Sequence, residues 1–230
     1  MHEEEMASDA SEFWERRRDL RPSSDAGDGE GAWRLVLLVD ITDPLTESAG
    51  GQVVDRLGQF DCFSGSDASA LHLTVKLFDI PVAPSTTEVA GSGPAVQRVD
   101  AVVSDVVSDR DPFEAAFTRL NLFPDVVYSE VADAGLLGEM NRALCDHAGI
   151  ATLDRDGDGF IPHLTLGHFA GDSDYDELVD FLEANREVRL PTLTVTELAL
   201  VAYAAVGHPP AYDRPETYEL YPADDPPGHT

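Results

Sequence analysis

Two short segments of this chain place a histidine and a threonine two residues apart: His72-Leu73-Thr74 and His163-Leu164-Thr165. On a strand, residues i and i+2 share a face, so each segment holds an imidazole beside a hydroxyl. Histidine titrates near neutrality and can give or take a proton there. A threonine hydroxyl can donate to a phosphoryl oxygen as charge grows on it. Two such pairs facing each other would grip a phosphodiester from both sides. One histidine would activate water and the other would protonate the departing oxygen. The reaction needs no metal, and no cofactor is expected.

These pairs need rigid strands in equivalent places, and the pattern supplies them. Trp33 to Asp40 is nearly all apolar, as a buried strand would be. Asp43-Pro44 opens a helix to about Phe60. Leu71 to Asp79 is the first motif strand, and 80–93 reads as a loop. Pro94 opens a helix with Val96, Val99, Val102, Val103 and Val106 on one face. Phe113 to Leu122 alternates like a strand. The order then repeats: a strand at Val126 to Val131, a helix at Ala134 to His147, the second motif strand at Phe160 to Phe169, a helix at Asp174 to Glu187. One long strand is expected at Leu193 to Tyr203 and a last at Thr217 to Tyr221. His72 lies 39 residues after Trp33, and His163 lies 37 after Val126. The fold class is therefore α+β. Two duplicated β-α-β-α-β units would be related by a pseudo-two-fold axis, with two antiparallel or mixed sheets lining a central cleft and helices outside. The lobes are expected at about 31–122 and 123–222, with elements free to exchange between them. Residues 1–30 read as an acidic mobile tail, in which a short helix around Ser11 to Leu20 would have little to bury, and 223–230 as a frayed end.

With the motifs in place the chain resembles a known family. Leu71-His72-Leu73-Thr74-Val75-Lys76-Leu77-Phe78 and Phe160-Ile161-Pro162-His163-Leu164-Thr165-Leu166-Gly167 look like the two signatures of the 2H phosphoesterase superfamily. They are most similar to those of the bacterial and archaeal RNA 2',3'-cyclic phosphodiesterases, also called 2'-5' RNA ligases. Phe123-Pro124 and Val126-Val127-Tyr128 resemble the family's centre, and coverage is roughly 33–221. The resemblance implies a bilobal fold and metal-independent opening of a 2',3'-cyclic phosphate to a 2'-phosphate. The substrate would be an RNA end or a nucleotide, and some members reversibly join RNA ends through 2'-5' linkages. By position, His72 and His163 would be the catalytic pair; His72 is assigned as acid and His163 as base, an order the sequence does not fix. Thr74 and Thr165 would bind phosphate.

Other residues have weaker claims. Lys76 is the only lysine among 15 basic residues. By period two it shares a face with His72 and Thr74, which makes it a candidate substrate contact; a solvent-facing strand-end charge is the alternative. Tyr128, Phe78 and Tyr212 could stack a base, and Tyr128 joins Lys76 as a candidate contact. Arg34, Arg119 and Arg214 could each meet a terminal phosphate. Asp154, Asp156, Asp158 and Gly159 resemble the start of a calcium loop. The bidentate acid such a loop needs is replaced by Thr165, so the stretch reads as an acidic turn. By strict alternation His168 faces away from His163, and no metal site is expected.

Charge shapes the substrate side. With 44 acidic residues the formal net charge is -29, which suggests a halophilic protein, because molar salt screens such repulsion. It argues against unspecific nucleic-acid binding, which needs a basic surface. Cys62 and Cys145 read as free thiols in a reducing compartment. No apolar run spans a membrane, so a cytoplasmic monomer without membrane contact is expected. A cyclic phosphodiesterase for small nucleotide-derived substrates, or a non-catalytic nucleotide- or RNA-binding module of the same fold, are the alternatives.

Overall fold

The structure, a computed structural model, describes residues 12–20, 22, 33–41, 44–82, 93–108, 110–204 and 213–220. Its strands are β1 (Trp33–Asp40), β2 (Phe63–Gly65), β3 (His72–Val82), β4 (Phe113–Leu122), β5 (Val126–Ala132), β6 (His163–Phe169), β7 (Leu193–Val195), β8 (Glu197–Ala204) and β9 (Asp213–Glu219). Its helices are α1 (12–18), α2 (Pro44–Leu57), α3 (Pro94–Val107), α4 (Leu136–Asp146) and α5 (Tyr175–Ala184).

The fold is α+β, and every strand pair is antiparallel. The strands follow the order β7-β4-β5-β6-β3-β1-β8-β9, with β2 on β6. One block (β3, β1, β8, β9) meets the other (β7, β4, β5, β6, β2) through a single registered pair, Leu73 with Leu164. The chain crosses between the blocks repeatedly. β4 joins the block of β5 and β6, while β8 and β9 return to β1. The helices cross too: α2 packs on β2 and β6, and α4 packs on β3 and α3.

Burial explains the elements. β1 is apolar along its length because it lies between β3 and β8 with both faces covered; Leu35, Val36, Leu37, Leu38 and Val39 are all buried. α3 starts at Pro94, where a missing N–H costs nothing, and buries Val96, Val99, Val103, Val106 and Val107. The main core runs under both blocks. A smaller cluster, Val36, Leu38, Ala199 and Val201 with Leu77 against it, lies on the opposite face of the first block.

Two expectations change. The single strand predicted over Leu193 to Tyr203 is two strands serving different blocks, β7 on β4 and β8 on β1. Thr196 marks the break, its carbonyl accepting from Leu220 N–H at 2.8 Å. The other change is in the predicted mobile tail, where residues 12–18 form a docked helix. Trp14 is only 2% exposed and joins the main core. Arg18 pairs with Asp180 and Glu183 of α5 at 2.6 Å each, and the Arg17 carbonyl accepts from the Tyr175 hydroxyl at 2.8 Å. The aromatic pair Phe13-Trp14 gives this segment the apolar surface that an acidic tail would lack. The remainder of 1–30 (apart from 19, 20 and 22) and the expected frayed end at 223–230 lie outside the described residues, as does the 83–92 part of the predicted loop.

Candidate active site

Each motif strand enters the site in the same way. The His72 ring donates from Nδ1 to the carbonyl of Ala70 at 3.0 Å. The His163 ring donates from Nδ1 to the carbonyl of Ile161 at 2.7 Å. A carbonyl only accepts, so both rings hold the Nδ1–H tautomer, and Nε2 is the basic nitrogen of each neutral imidazole. The two halves thus orient their histidines with the same backbone device, a bond to the residue two positions upstream.

The Leu73–Leu164 pair sets the mutual arrangement. In antiparallel register about it, His72 neighbours Thr165 and Thr74 neighbours His163. Leu73 and Leu164 are fully buried beneath, so the four polar side chains take the opposite face. All four are partly exposed. Together they form a compact quartet in which each histidine stands beside the other motif's threonine.

Directly after each motif the strand carries a bulge. Leu38 pairs with Thr74 but Leu37 with Lys76, which leaves Val75 as the extra residue. Tyr128 pairs with Thr165 but Val127 with Gly167, which leaves Leu166 extra. An extra residue reverses the alternation that follows. His72, Thr74 and Leu77 are therefore open while Leu73, Val75, Lys76 and Phe78 are buried; His163, Thr165 and His168 are open while Leu164, Leu166, Gly167 and Phe169 are buried.

The bulges correct two expectations. Lys76 turns away from His72 and Thr74, and no part of its side chain is exposed. Its ammonium pairs with Asp156 and donates to the carbonyls of Ala151 at 2.9 Å and Leu77 at 3.0 Å. Asp156 in turn accepts from Asn141 Nδ2 at 3.0 Å and Leu153 N–H at 2.7 Å. Asn141 also donates to Val75 O at 2.8 Å, inside the bulge. The acidic turn is thus tied to the motif strand from within the protein. His168 changes sides in the same manner, to the face of His163 and Thr165. Among the described residues no group of three or more His, Cys, Asp or Glu is placed to hold a metal ion.

Tyr128 is 1% exposed and offers no open face for a base. Its ring stacks on Phe123 at 4.3 Å and meets His163 edge-on at 5.3 Å. Phe123 also meets His163 edge-on, at 5.3 Å. The two aromatics buttress the imidazole. Phe78 is buried as well, while Tyr212 and the Arg214 side chain lie outside the described residues. Arg34 pairs with Asp79 at 3.4 Å, and Arg119 lies in a bridge with Glu187.

The residue that sequence reasoning missed is Arg155. Its guanidinium lies 4.5 Å over the Phe123 ring and pairs with Asp125 at 2.7 Å. It lines a cleft of about 800 Å³ together with Thr74, Leu77, Phe123, Ile161 and His163; Lys76 borders the same cleft, with its ammonium paired to Asp156. The signal was a lone arginine in an otherwise acidic turn.

Burial sets the electrostatics. It pushes the pKa of His72 below its ordinary value; the Ala70 carbonyl works against this, and proximity to His163 adds to it. Burial likewise lowers His163; the Ile161 carbonyl opposes it, Arg155 lowers it further, and Asp125 partly offsets Arg155. Both rings are thereby biased toward the neutral form. Burial also pushes the Tyr128 phenol up to about 12, so it stays protonated.

Comparison with known proteins identifies the family and the fold. Residues 46–207 match the family model of the 2'-5' RNA ligase superfamily. An RNA 2',3'-cyclic phosphodiesterase of Methanothermobacter thermautotrophicus is 25% identical over 194 residues, covering 81% of this chain and 98% of the relative. A crystal structure of a Thermus thermophilus protein superposes with a TM-score of 0.58 at 18% identity, over 81% of this chain and 97% of that one. Escherichia coli LigT complexed with 3'-AMP superposes at 0.55 with 18% identity, over 82% and 98%. Motifs, topology and family model converge: the chain belongs to the 2'-5' RNA ligase superfamily, with the fold of the 2H phosphoesterases.

Proposed function

We propose that the protein hydrolyses 2',3'-cyclic phosphates, on RNA ends or nucleotides, to 2'-phosphates. The observation that carries this reading is the quartet of His72, Thr74, His163 and Thr165 around the Leu73–Leu164 pair. The distant relative's name, RNA 2',3'-cyclic phosphodiesterase, supports it. His163 takes a proton from water as the water oxygen bonds to phosphorus. His72 gives its proton to the 3' oxygen as the bond from phosphorus to that oxygen breaks. Arg155 favours the neutral ring of His163, as a base needs, with Asp125 partly offsetting it; burial holds His72 toward the neutral form as well. Thr74 and Thr165 donate to the non-bridging oxygens, where charge grows. The same steps, with a 5'-hydroxyl in place of water, would join ends through a 2'-5' linkage, and their reversal would cleave it.

The charge of -29 favours short substrates over long RNA, because a phosphate chain is repelled by an acidic surface. The test is turnover of 2',3'-cyclic nucleotides and of cyclic-phosphate-ended oligomers, with chelator present, by the wild type and by His72→Ala and His163→Ala. No turnover of either substrate by the wild type sinks the reading. Loss of turnover on adding chelator sinks the metal-free mechanism. Turnover of the nucleotide but not the oligomer selects the small-substrate form.

A further inference from the structure

The strand face that carries His163 and Thr165 continues across β5 to β4. Tyr128 pairs with Thr165 on one side and with Asn121 on the other, and Glu130 pairs with His163. Beyond β4 runs the segment of Arg186, whose carbonyl accepts from Leu120 N–H at 2.6 Å. α1 reaches the same place from the N-terminus: Arg17 Nε donates to Asn121 Oδ1 at 3.3 Å. Two guanidiniums therefore converge beside Tyr128, from opposite ends of the sequence.

Their surroundings do not balance them. Glu130 is the one carboxylate among the groups that bear on Arg17; Arg16 and Arg186 repel it, and Tyr128 is a neutral phenol. Glu130 lies 3.6 Å from Arg186 and also accepts from Asn121 at 2.9 Å. Nε of Arg186 is buried and has no hydrogen-bond partner among the described residues. A buried donor without a partner is costly. Both guanidiniums are stiffened by aromatic faces, Arg17 at 3.6 Å over Phe13 and Arg186 at 4.5 Å over the same ring. Arg186 and Glu130 keep 26% and 28% side-chain exposure, so an anion can reach them. In a chain with 15 basic residues against 44 acidic ones, a net positive pair beside a phosphate-handling quartet calls for a negative ligand.

We propose that Arg17 and Arg186 form a second phosphate site, which binds a further phosphate of the same substrate while the cyclic phosphate sits in the histidine–threonine quartet. This rests on the reading given under Proposed function and narrows its substrate class. The separation suits it. Asn121 and Thr165 flank Tyr128 on neighbouring strands, so the sites lie about two strand spacings apart, roughly 10 Å. Arg155, not Arg17 or Arg186, is the arginine that bears on His163. The second phosphate is a 5'-phosphate of a mononucleotide or the preceding phosphodiester of an oligomer; the chemistry recognised is the same. Arg186 lies inside the 46–207 matched by the family model and Arg17, on α1, lies outside it.

The experiment uses the full chain at fixed ionic strength. Binding is read by calorimetry for a nucleoside 2'-monophosphate, the same compound with an added 5'-phosphate, and a dinucleotide ending in a 2'-phosphate. Turnover is read on the matching 2',3'-cyclic phosphates. The wild type should prefer the 5'-phosphorylated ligand, the dinucleotide or both by ~10–100-fold, the range of one or two hydrogen bonds to a charged group. Arg17→Gln and Arg186→Gln should each lower that preference about tenfold, with Arg17→Lys restoring part of it. A preference for the dinucleotide alone identifies the phosphodiester source; one for both identifies any phosphate in that position. Equal affinity for ligands with and without the second phosphate in the wild type, or an unchanged preference in both glutamine variants, overturns the site. The two failures are distinguishable. Preference without turnover keeps the phosphate site and removes the reaction; turnover without preference does the reverse.

Discussion

Leu73 of β3 and Leu164 of β6 form the only registered residue pair that joins the two blocks of strands among the described residues. Everything above that pair depends on it, because the two histidines come from different blocks and share one site only through it. They should therefore act as a unit. His72→Ala and His163→Ala should each lower kcat by ~10²–10⁴-fold on a 2',3'-cyclic nucleotide. The double variant should be scarcely worse than either single one, since a lone member of an acid–base pair contributes little. Steady-state rates of the three variants check this. Losses that multiply in the double variant would mean the residues work independently.

Burial lowers the pKa of both imidazoles, so pH should act on rate and stability together. On the proposed mechanism, kcat/KM needs one ring neutral and the other protonated in the free enzyme. With both pKa values pushed below the ordinary 6.5, the bell-shaped profile should peak on the acid side of that value, its limbs belonging to the coupled pair. Arg155→Gln should move the limb of His163 toward higher pH, because a nearby positive charge is removed. The stability sign follows from proton counting. The unfolded chain binds these protons at higher pH than the folded one. The histidines' contribution is intact above about pH 6.5, falls as pH drops from there toward the folded pKa values, and levels off below them. A rate profile peaking above about pH 7.5 would contradict the lowered values.

The buried Lys76–Asp156 pair predicts a different kind of loss. Lys76→Met leaves Asp156 as a nearly buried carboxylate, and Asp156→Asn leaves an ammonium without its counter-charge. Each should cost about 3–5 kcal/mol in unfolding free energy. The pair also anchors the turn that carries Arg155 into the cleft. Removal should raise KM as the turn loosens, with a smaller change in kcat, because the quartet itself stands on other strands. Denaturant unfolding combined with steady-state kinetics separates the two effects. An unchanged midpoint in Lys76→Met would show that the pair contributes nothing net.

What the sequence disclosed, and what it hid, divides by the range of the physics. The apolar run of Trp33 to Asp40, the valine stripe of α3 and the two motifs were legible because each is a local period. The bulges at Val75 and Leu166 were not, since a bulge is a relation between two strands and leaves no trace in one strand's residues. That single omission sent Lys76 and His168 to the wrong faces. The docking of α1 was hidden for a similar reason. Arg18 meets Asp180 and Glu183, and Arg17 meets Asn121, partners more than a hundred positions away. Trp14 and Phe13 were the available hint that residues 12–18 had something to bury. Tyr128 was visible as an aromatic near the site, but only the packing of Phe123 and His163 against it distinguishes a support from a platform.

The bulges also give the last prediction, because the two halves fill the position after the extra residue differently. In β3 it is Lys76; in β6 it is Gly167. The second block has no room for a side chain there. A Cβ on Gly167 would lie 2.4 Å from the Phe63 ring and 2.4 Å from the carbonyl oxygen of Ser64. Both belong to β2, which pairs with β6 through Gly65 and Gly167. The oxygen is backbone and the ring is part of the core, so neither gives way easily. Gly167→Ala should cost about 1–3 kcal/mol or more, in the manner of an overpacked core. β2 must then shift along β6, two positions from Thr165, so kcat should fall as well. Gly171→Ala is the control: a Cβ there meets nothing within 4 Å, and the change should stay within about 0.5 kcal/mol. Thermal unfolding and kcat for both variants decide the matter; equal behaviour would mean that β2 is not seated against β6 as described.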